Sequence, residues 1–433
     1  MKNIFLKNAI DLINIRKSNV GVIGLGYVGL PLSILFVKNN FKVFGFDTDK
    51  KKISNIKKNY SYIDRISNKD IGLLNKNGKF FSNFKEIKKC GVVIICVPTP
   101  LTNNEVPDLS YLKNVINSIN KFLKKGQILI LESTSYPGTT EDEIYKKIKK
   151  KFTVGTDFFL GFSSERINPG KNENSIQKVP KVVSGYSKNC LQAISNFYSK
   201  SFNQVVESKS IEIAEFSKLL ENIYRSVNIG FINEMKILAD KMNIDIFDVI
   251  NLANTKPYGF RRFFPGPGVG GHCIPIDPNY LYWKSVKVGL PAKFIKLSAK
   301  VNIVVLNFIL KKIIKNLKAK KLKLNNSKIL ILGLSYKKNL DDLRESASLK
   351  LIDSLYKKGI KNIFVHDPYV EEKYYDKRIK KIKIIDKKNI KNFDIVVLMT
   401  DHDFFDYDLI KDNANLIIDC RGRYEIKDNV QRG

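Results

Sequence analysis

The sequence predicts an α/β fold, with two regions of parallel sheet joined by a central all-helical region. Three observations carry this reading. Residues 1–160 alternate short β-branched runs with stretches of helical period; from about Ile211 to Leu317 long helical patterns take over; from Lys328 the alternation resumes. Alternating strand and helix implies βαβ units and therefore parallel sheets. The implied domains are 1–210, 211–321 and 322–433, in keeping with about 150 residues per domain.

The expected strands of the first region are Val20–Ile23, Lys42–Phe46, Gly91–Cys96, Gln127–Leu131 and Phe158–Gly161. Each is a short apolar run bounded by turn residues, the mark of a strand buried on both faces. Helical periodicity marks Gly29–Lys38, Leu109–Phe122 and Thr139–Lys150 between them. In the last region the strands are Ile329–Leu332, Asn362–His366, Asp394–Leu398 and Leu416–Ile418, with a helix over Ser346–Lys357. The central helices are interrupted by the Pro- and Gly-rich loop Thr255–Asp277. No short solenoid repeat is visible.

Composition narrows the function classes. Hydrophobic residues make up 43% of the 433, enough for buried cores, so a mainly disordered chain is excluded. The formal charge of +33 comes from 64 Lys and only 11 Arg, in runs such as Lys50-Lys51-Lys52. A nucleic-acid site would favour the bidentate fork of Arg, so the excess reads as a solvated Lys-rich surface that helps anions arrive. Residues 18–37 are free of charge and long enough to span a bilayer. Four Gly and a Pro break that stretch, which reads instead as strand, tight turn and helix. The five scattered Cys form no CxxC pair. Thiols in a reducing, cytoplasmic compartment are expected, with no metal, nucleic acid or membrane partner.

The turn Gly24-Leu25-Gly26-Tyr27-Val28-Gly29 follows a strand and opens a helix. Its glycines serve the tight turn, the close approach of a pyrophosphate and the packing of helix on strand. Asp47 ends the next strand, 23 residues after Gly24. An acid there accepts both ribose hydroxyls and repels a 2′-phosphate, so NAD is favoured over NADP. Lys52 is either a ribose or phosphate neighbour or simply solvated. Thr99 and Thr134 follow the next two strands at their carboxyl ends, where ligands sit; ordinary turn chemistry is the alternative.

The loop Phe264–Pro278 holds Gly266, Gly268, Gly270 and Gly271 ahead of His272-Cys273, with Asp277 four residues on. Cys96 and Cys420 sit in or beside apolar strands as small hydrophobes, and Cys273 alone has a nucleophile's setting. Neighbours in sequence seldom pair in catalysis, which weakens His272 as its base. A second group is helical: Lys218, Asn222 and Arg225 share one helix face. Such a stripe can hold an oxyanion or a phosphate, or belong to an ordinary amphipathic helix. In Ser163-Ser164-Glu165-Arg166-Ile167-Asn168-Pro169-Gly170, Glu165 is a candidate base and Arg166 a candidate anion contact; a surface ion pair is the alternative.

Taken together, GLGYVG, CVPTP, ESTSYPGTT, SSERINPG, AEFSKLLEN, PGPGVGGHCIPIDP and GLSYKKNLDDLRES resemble the UDP-glucose/GDP-mannose dehydrogenase family of nucleotide-sugar 6-dehydrogenases. The resemblance implies Rossmann-like first and last domains, the first for NAD and the last for the UDP-sugar. It implies a four-electron oxidation of a sugar C6 alcohol to the acid, with two NAD reduced in turn. Cys273 then matches the nucleophile that forms a thiohemiacetal and a thioester. Lys218 and Asn222 match the oxyanion stabilisers, Asp277 the proton-transfer aspartate and Glu165 the base of thioester hydrolysis. Tyr336, Lys337 and Arg421 match substrate contacts, and Arg344 a residue that reaches the NAD pyrophosphate. Arg166, Ile167, Arg225 and Gly270 match contacts in the branch that acts on UDP-N-acetylhexosamines. Arg261 or Arg262 lies where an Arg is lent to the neighbouring subunit's substrate, and the central helices match a homodimer core. UDP-glucose dehydrogenases carry a second Glu where this chain has Pro169. That departure argues against UDP-glucose, and the resemblance to the UDP-N-acetylhexosamine branch implies UDP-N-acetylglucosamine as substrate, for surface polysaccharide such as O-antigen. UDP-glucose, UDP-N-acetylgalactosamine, UDP-N-acetylmannosamine and a non-enzymatic nucleotide-sugar-binding protein are the alternatives.

Overall fold

A computed structural model of the chain describes residues 3–63, 65–166, 176–271, 273–375 and 377–433. They form two compact units, Met1–Glu221 with Asn279–Gly289, and Asn222–Pro278 with Leu290–Gly433. The helices Ile211–Lys241 and Cys273–Lys287 contribute residues to both.

The first unit is built on β1 (Val20–Ile23), β2 (Val43–Phe46), β3 (Gly78–Phe81), β4 (Val92–Ile95), β5 (Ile128–Leu131), β6 (Phe159–Ser163), β7 (Lys181–Gly185) and β8 (Val205–Glu207), in the order β3-β2-β1-β4-β5-β6-β7-β8. Every pair is parallel except β6 with β7. Both faces are covered, so alternate residues of one strand enter different cores: Val92 and Ile94 pack on one side, Val93 and Ile95 on the other. The chain order reverses between β1 and β4, which opens a crevice at their carboxyl ends.

The second unit repeats the plan. Its strands are β9 (Lys328–Leu332), β10 (Asn362–His366), β11 (Lys380–Lys381), β12 (Ile395–Leu398), β13 (Ile417–Asp419) and β14 (Val430–Arg432), all parallel in the order β11-β10-β9-β12-β13-β14. Most expected strands stand within a residue or two of their places. β3, β7, β8, β11 and β14 lie outside the expected strands: a glycine opens β3, a lysine opens β7, and the other three are only two or three residues long. Thr139–Lys150 begins as a π-helix over Thr140–Tyr145 before the short α-helix Lys146–Ile148.

The long helix Ile211–Lys241 is anchored by its polar residues. In the first unit the buried Glu215 accepts hydrogen bonds from Gly138 N at 2.6 Å, Thr140 N at 2.9 Å and Thr140 Oγ1 at 2.7 Å. These are orphan donors of the 140–145 turn, so the carboxylate ties the long helix to the loop after β5. Burial still pushes the Glu215 carboxyl up to about 7. A carboxyl raised in the native state binds its proton more tightly there than in the unfolded chain, so stability falls as pH rises between about 4.5 and about 7. Glu215→Gln cannot ionise. Urea unfolding at pH 5 and pH 7.5 should show the variant gaining roughly 2–3 kcal/mol on wild type between the two pH values; parallel pH curves would contradict the assignment.

Candidate active site

The cofactor cradle lies in the first unit. Gly24, with φ of +91°, turns the chain out of β1, and the helix Gly29–Lys38 begins five residues later. A Cβ on Gly29 would stand 1.9 Å from Gly24 O, whereas one on Gly26 would meet nothing within 4 Å. The turn is thus closed against the sheet and bare at Gly26, where a pyrophosphate can approach. Half-buried Tyr27 and Val28 complete it, and no side chain caps the helix, which leaves its positive end to a phosphate. Tyr62 OH donates to Leu25 O at 2.7 Å and Arg65 Nη2 to Tyr27 O at 2.9 Å, holding the turn from behind.

Asp47 follows β2. Its Oδ2 accepts from Leu25 N at 2.9 Å and from Lys52 Nζ at 3.1 Å, and its Oδ1 from Asp49 N at 2.9 Å. Lys52 is therefore a partner of Asp47 and not only a solvated cation. Ser133 Oγ donates to Val97 O at 2.7 Å, joining the loops after β4 and β5. Those loops carry buried Thr99 and half-buried Thr134. This donor and acceptor set fits a dinucleotide with an unphosphorylated ribose.

A second group of the same unit surrounds Glu165, which follows β6. Lys218 Nζ donates to the Glu165 carbonyl. Lys181 Nζ lies 3.6 Å from the Glu165 carboxylate and donates to Glu132 at 2.9 Å. Arg166 pairs with Glu221 at 2.7 Å and donates to Pro180 O at 3.0 Å.

Cys273 belongs to the second unit, where it is half-buried and heads the helix Cys273–Lys287. Cys90, Cys96, Cys190 and Cys420 are buried, and burial drives the Cys96 thiol far above its ordinary value and those of Cys90 and Cys420 up to about 12. One helical turn after Cys273 stands Asp277, fully buried, which accepts from Asn222 Nδ2; Asn222 Oδ1 in turn accepts from Arg225 Nη2. A carboxylate, an amide and a guanidinium thus form one chain, in which the Asn amide is oriented from both ends.

The glycine loop before Cys273 packs on the last domain. A Cβ on Gly270 would stand 2.5 Å from Tyr336 Cβ, and Gly271 N donates to Arg344 O at 2.8 Å. Tyr336 and Arg421 line a small cavity with Pro267, Gly268, Ser335 and Thr400. Arg421 Nε donates to Met399 O at 2.7 Å. The Lys337 carbonyl accepts from Ser335 Oγ, and Arg344 forms a bidentate pair with Asp342. Arg261 and Arg262 are exposed, the latter 4.9 Å over the Phe264 ring.

The structure therefore groups Lys218 with Glu165, and Asn222 with Asp277 and Arg225. Ile167 and His272 lie outside the described residues. Sequence reading missed Glu132 and Lys181: one ends an apolar strand and the other begins one, and both patterns ordinarily mean solvent. Among the described residues no cluster of His, Cys, Asp and Glu could hold a metal ion, and no helix is long and apolar enough to cross a membrane.

A glycine-rich strand-to-helix turn answered by an acid after β2, on a doubly wound sheet, defines a dinucleotide-dependent oxidoreductase. Three models of one family match in order: its NAD binding domain at residues 18–202, its central domain at 212–303 and its UDP binding domain at 330–426. The chain belongs to the UDP-glucose/GDP-mannose dehydrogenase family; it is a nucleotide-sugar dehydrogenase with NAD as cofactor. It is 36% identical to the Staphylococcus aureus protein CapL over 94% of this chain and 95% of that one. It is 35% identical to a UDP-N-acetyl-D-glucosamine 6-dehydrogenase of Pseudomonas aeruginosa, over 81% of this chain and 83% of that one. The structure of UDP-D-ManNAc dehydrogenase from Pyrococcus horikoshii superposes with a TM-score of 0.84 at 28% identity, covering 94% and 96% of the two chains.

Asp47→Ala removes the charged acceptor expected to meet the ribose. A hydrogen bond to a charged group contributes about 1.5–3 kcal/mol, so NAD should bind roughly 10–100-fold more weakly in fluorescence titration, with a narrowed preference over NADP. Unchanged NAD affinity would remove Asp47 from the site.

Proposed function

We propose that the enzyme oxidises the C6 alcohol of a UDP-N-acetylhexosamine, UDP-N-acetylglucosamine in particular, to the uronic acid for surface polysaccharide synthesis. The observation that carries the reading is the pairing of Asn222 with Asp277 and Arg225 one turn beyond a helix-heading Cys273. The acetylglucosamine substrate is supported by the Pseudomonas aeruginosa relative; Pro169, which stands where UDP-glucose dehydrogenases carry Glu, argues against UDP-glucose. A second reading, UDP-N-acetylmannosamine, is favoured by the Pyrococcus horikoshii structure.

Gly24, Gly26, Tyr27, Val28, Gly29, Asp47, Lys52, Thr99, Thr134 and Arg344 would hold NAD, which when bound would supply the hydride acceptor for both oxidations. The chain's own residues do the rest. Cys273 Sγ adds to the aldehyde carbon, and the positive end of its helix favours the negative charge a nucleophile needs. Lys218 and Asn222 donate to the C6 oxyanion, and Asp277 exchanges the proton. After the second hydride leaves, the sugar is a thioester on Cys273. Glu165 takes a proton from water as its oxygen attacks, the C–S bond breaks, and Cys273 leaves as thiolate.

Arg166, Ile167, Arg225, Gly270, Tyr336, Lys337 and Arg421 hold the sugar nucleotide, within a functional division at 1–210, 211–321 and 322–433. The central helices form a homodimer core. Tyr224, Phe231 and Leu238, seven residues apart and exposed, line one face of the long helix; Phe294, Leu297, Ile303 and Val304 are exposed on the helix Lys293–Ala319. Apolar stripes of this kind are covered in stable proteins, and through such a dimer Arg261 or Arg262 can reach the partner's substrate. A reducing, cytoplasmic setting keeps Cys273 a thiol.

The test is NADH formation with UDP-N-acetylglucosamine, UDP-N-acetylmannosamine, UDP-N-acetylgalactosamine and UDP-glucose. kcat/KM should be highest for UDP-N-acetylglucosamine and about 10–100-fold lower for UDP-glucose, the scale of discrimination when one substituent is missing. Preference for UDP-N-acetylmannosamine would establish the second reading. Binding without NADH formation would indicate a nucleotide-sugar-binding protein.

A further inference from the structure

Behind Glu165 lies a buried charge cluster that the catalytic roles leave unused. Lys181, at the start of β7, is 3% exposed, and its ammonium sits between two carboxylates: Glu132 at 2.9 Å and Glu165 at 3.6 Å. It also donates to Ser164 O at 3.3 Å, the carbonyl just before Glu165. Glu132, itself 3% exposed at the end of β5, accepts from Tyr198 OH as well. The rings of Tyr198 and Phe202 stand 5.2 and 5.3 Å from the ammonium. The charged and titratable groups facing Lys181 are thus Glu132, Glu165 and Tyr198, with the thiol of Cys96 nearby.

Such a cluster is costly to build. A lysine buried beside a single carboxylate already satisfies its charge, and an apolar pair would serve stability as well or better. Here the ammonium addresses the Ser164 carbonyl as well as the Glu165 carboxylate, and Lys218 donates to the Glu165 carbonyl. Burial opposes the ammonium, but Glu132 and Glu165 outweigh it and keep Lys181 charged. Burial raises the Glu132 carboxyl, which adds to the cluster's hold on protons.

We propose that Lys181, clamped by Glu132 and Tyr198, is a positioning residue that fixes the Glu165 carboxylate for the hydrolysis half of the reaction. The inference rests on the thioester reading above and adds residues to it. Glu132 neutralises the buried ammonium, the ammonium fixes the orientation of Glu165, and Glu165 takes the proton from the attacking water. Lys181 itself touches neither substrate nor cofactor in this role.

The experiment compares wild type, Lys181→Met and the double variant Lys181→Met/Glu132→Gln, which removes opposite charges together and keeps an acceptor for Tyr198. Each is mixed with NAD and UDP-N-acetylglucosamine, or with whichever UDP-sugar turns over fastest. The first hydride transfer is followed in a single turnover, with steady-state kcat and KM, and Cys273 acylation by intact-protein mass. Lys181→Met should lower kcat by about 10²-fold, the lower end of what a general base contributes, with KM and the first hydride transfer within about twofold. The sugar thioester should accumulate on Cys273. Should the single variant not fold, the double variant carries the same expectation. Equal slowing of both half-reactions, or normal kcat without acylated enzyme, would overturn the proposal. Wild type that makes no acid would instead refute the thioester reading itself.

Discussion

The requirement that buried polar groups find partners organises the functional part of this molecule. The helix Ile211–Lys241 carries Glu215, Asn222, Asn233 and Lys236, each at most 1% exposed. None could be tolerated there unpaired, and each is satisfied by a segment of its own unit. In the first unit Glu215 secures the loop after β5. In the second, Asn222 secures Asp277, Asn233 accepts from Gly266 N at 2.9 Å, and Lys236 donates to Gly266 O at 3.1 Å. The glycine loop that ends at Cys273 is therefore fixed at its start by two side chains from one helix. Burial lowers the Lys236 ammonium to about 8, a measure of how far this helix trades solvation for position.

The two sheets share a strand order but treat their switch points differently. Asp47 and Asp367 each follow the second strand of their sheet, and each accepts from the backbone of the turn after the first strand. Asp367 takes Leu334 N and Ser335 N on one oxygen, Tyr369 N and Val370 N on the other, and faces the fully buried His402 at 3.2 Å. Its acceptors are consumed by the protein. Asp47 is held by two backbone amides and by Lys52, whose side chain is a third exposed and can move aside. The first unit thus holds its acid with fewer of its own donors, whereas the second uses the same position to brace its own loop.

Much of this was legible in the sequence, for identifiable reasons. Runs such as VVII and ILIL, apolar at every position, short, rich in β-branched residues and flanked by turns, mark β4 and β5 as strands buried on both faces. The turn Gly24–Gly29 was legible because a tight strand-to-helix turn packed on its own strand demands glycine at those places. β3 and β7 were not, because a glycine opens the one and a lysine the other. The Lys181–Glu132 pair was invisible for a deeper reason. A charged residue at a strand end ordinarily faces water, and only the antiparallel pairing of β6 with β7 brings Lys181 beside Glu165 and Glu132. Lys218 and Asn222 were recognisable as a stripe, but their partners on other segments were not.

The central claim is that one site carries the sugar through both oxidations without releasing the aldehyde. The direct measurement is the ratio of NADH formed to UDP-sugar consumed, with the product identified by mass, for wild type and Cys273→Ser. Two NADH per sugar and a uronic acid from wild type, with acid formation lost in Cys273→Ser, are the results this account predicts. One NADH per sugar with free aldehyde from wild type, or undiminished acid from Cys273→Ser, would contradict it.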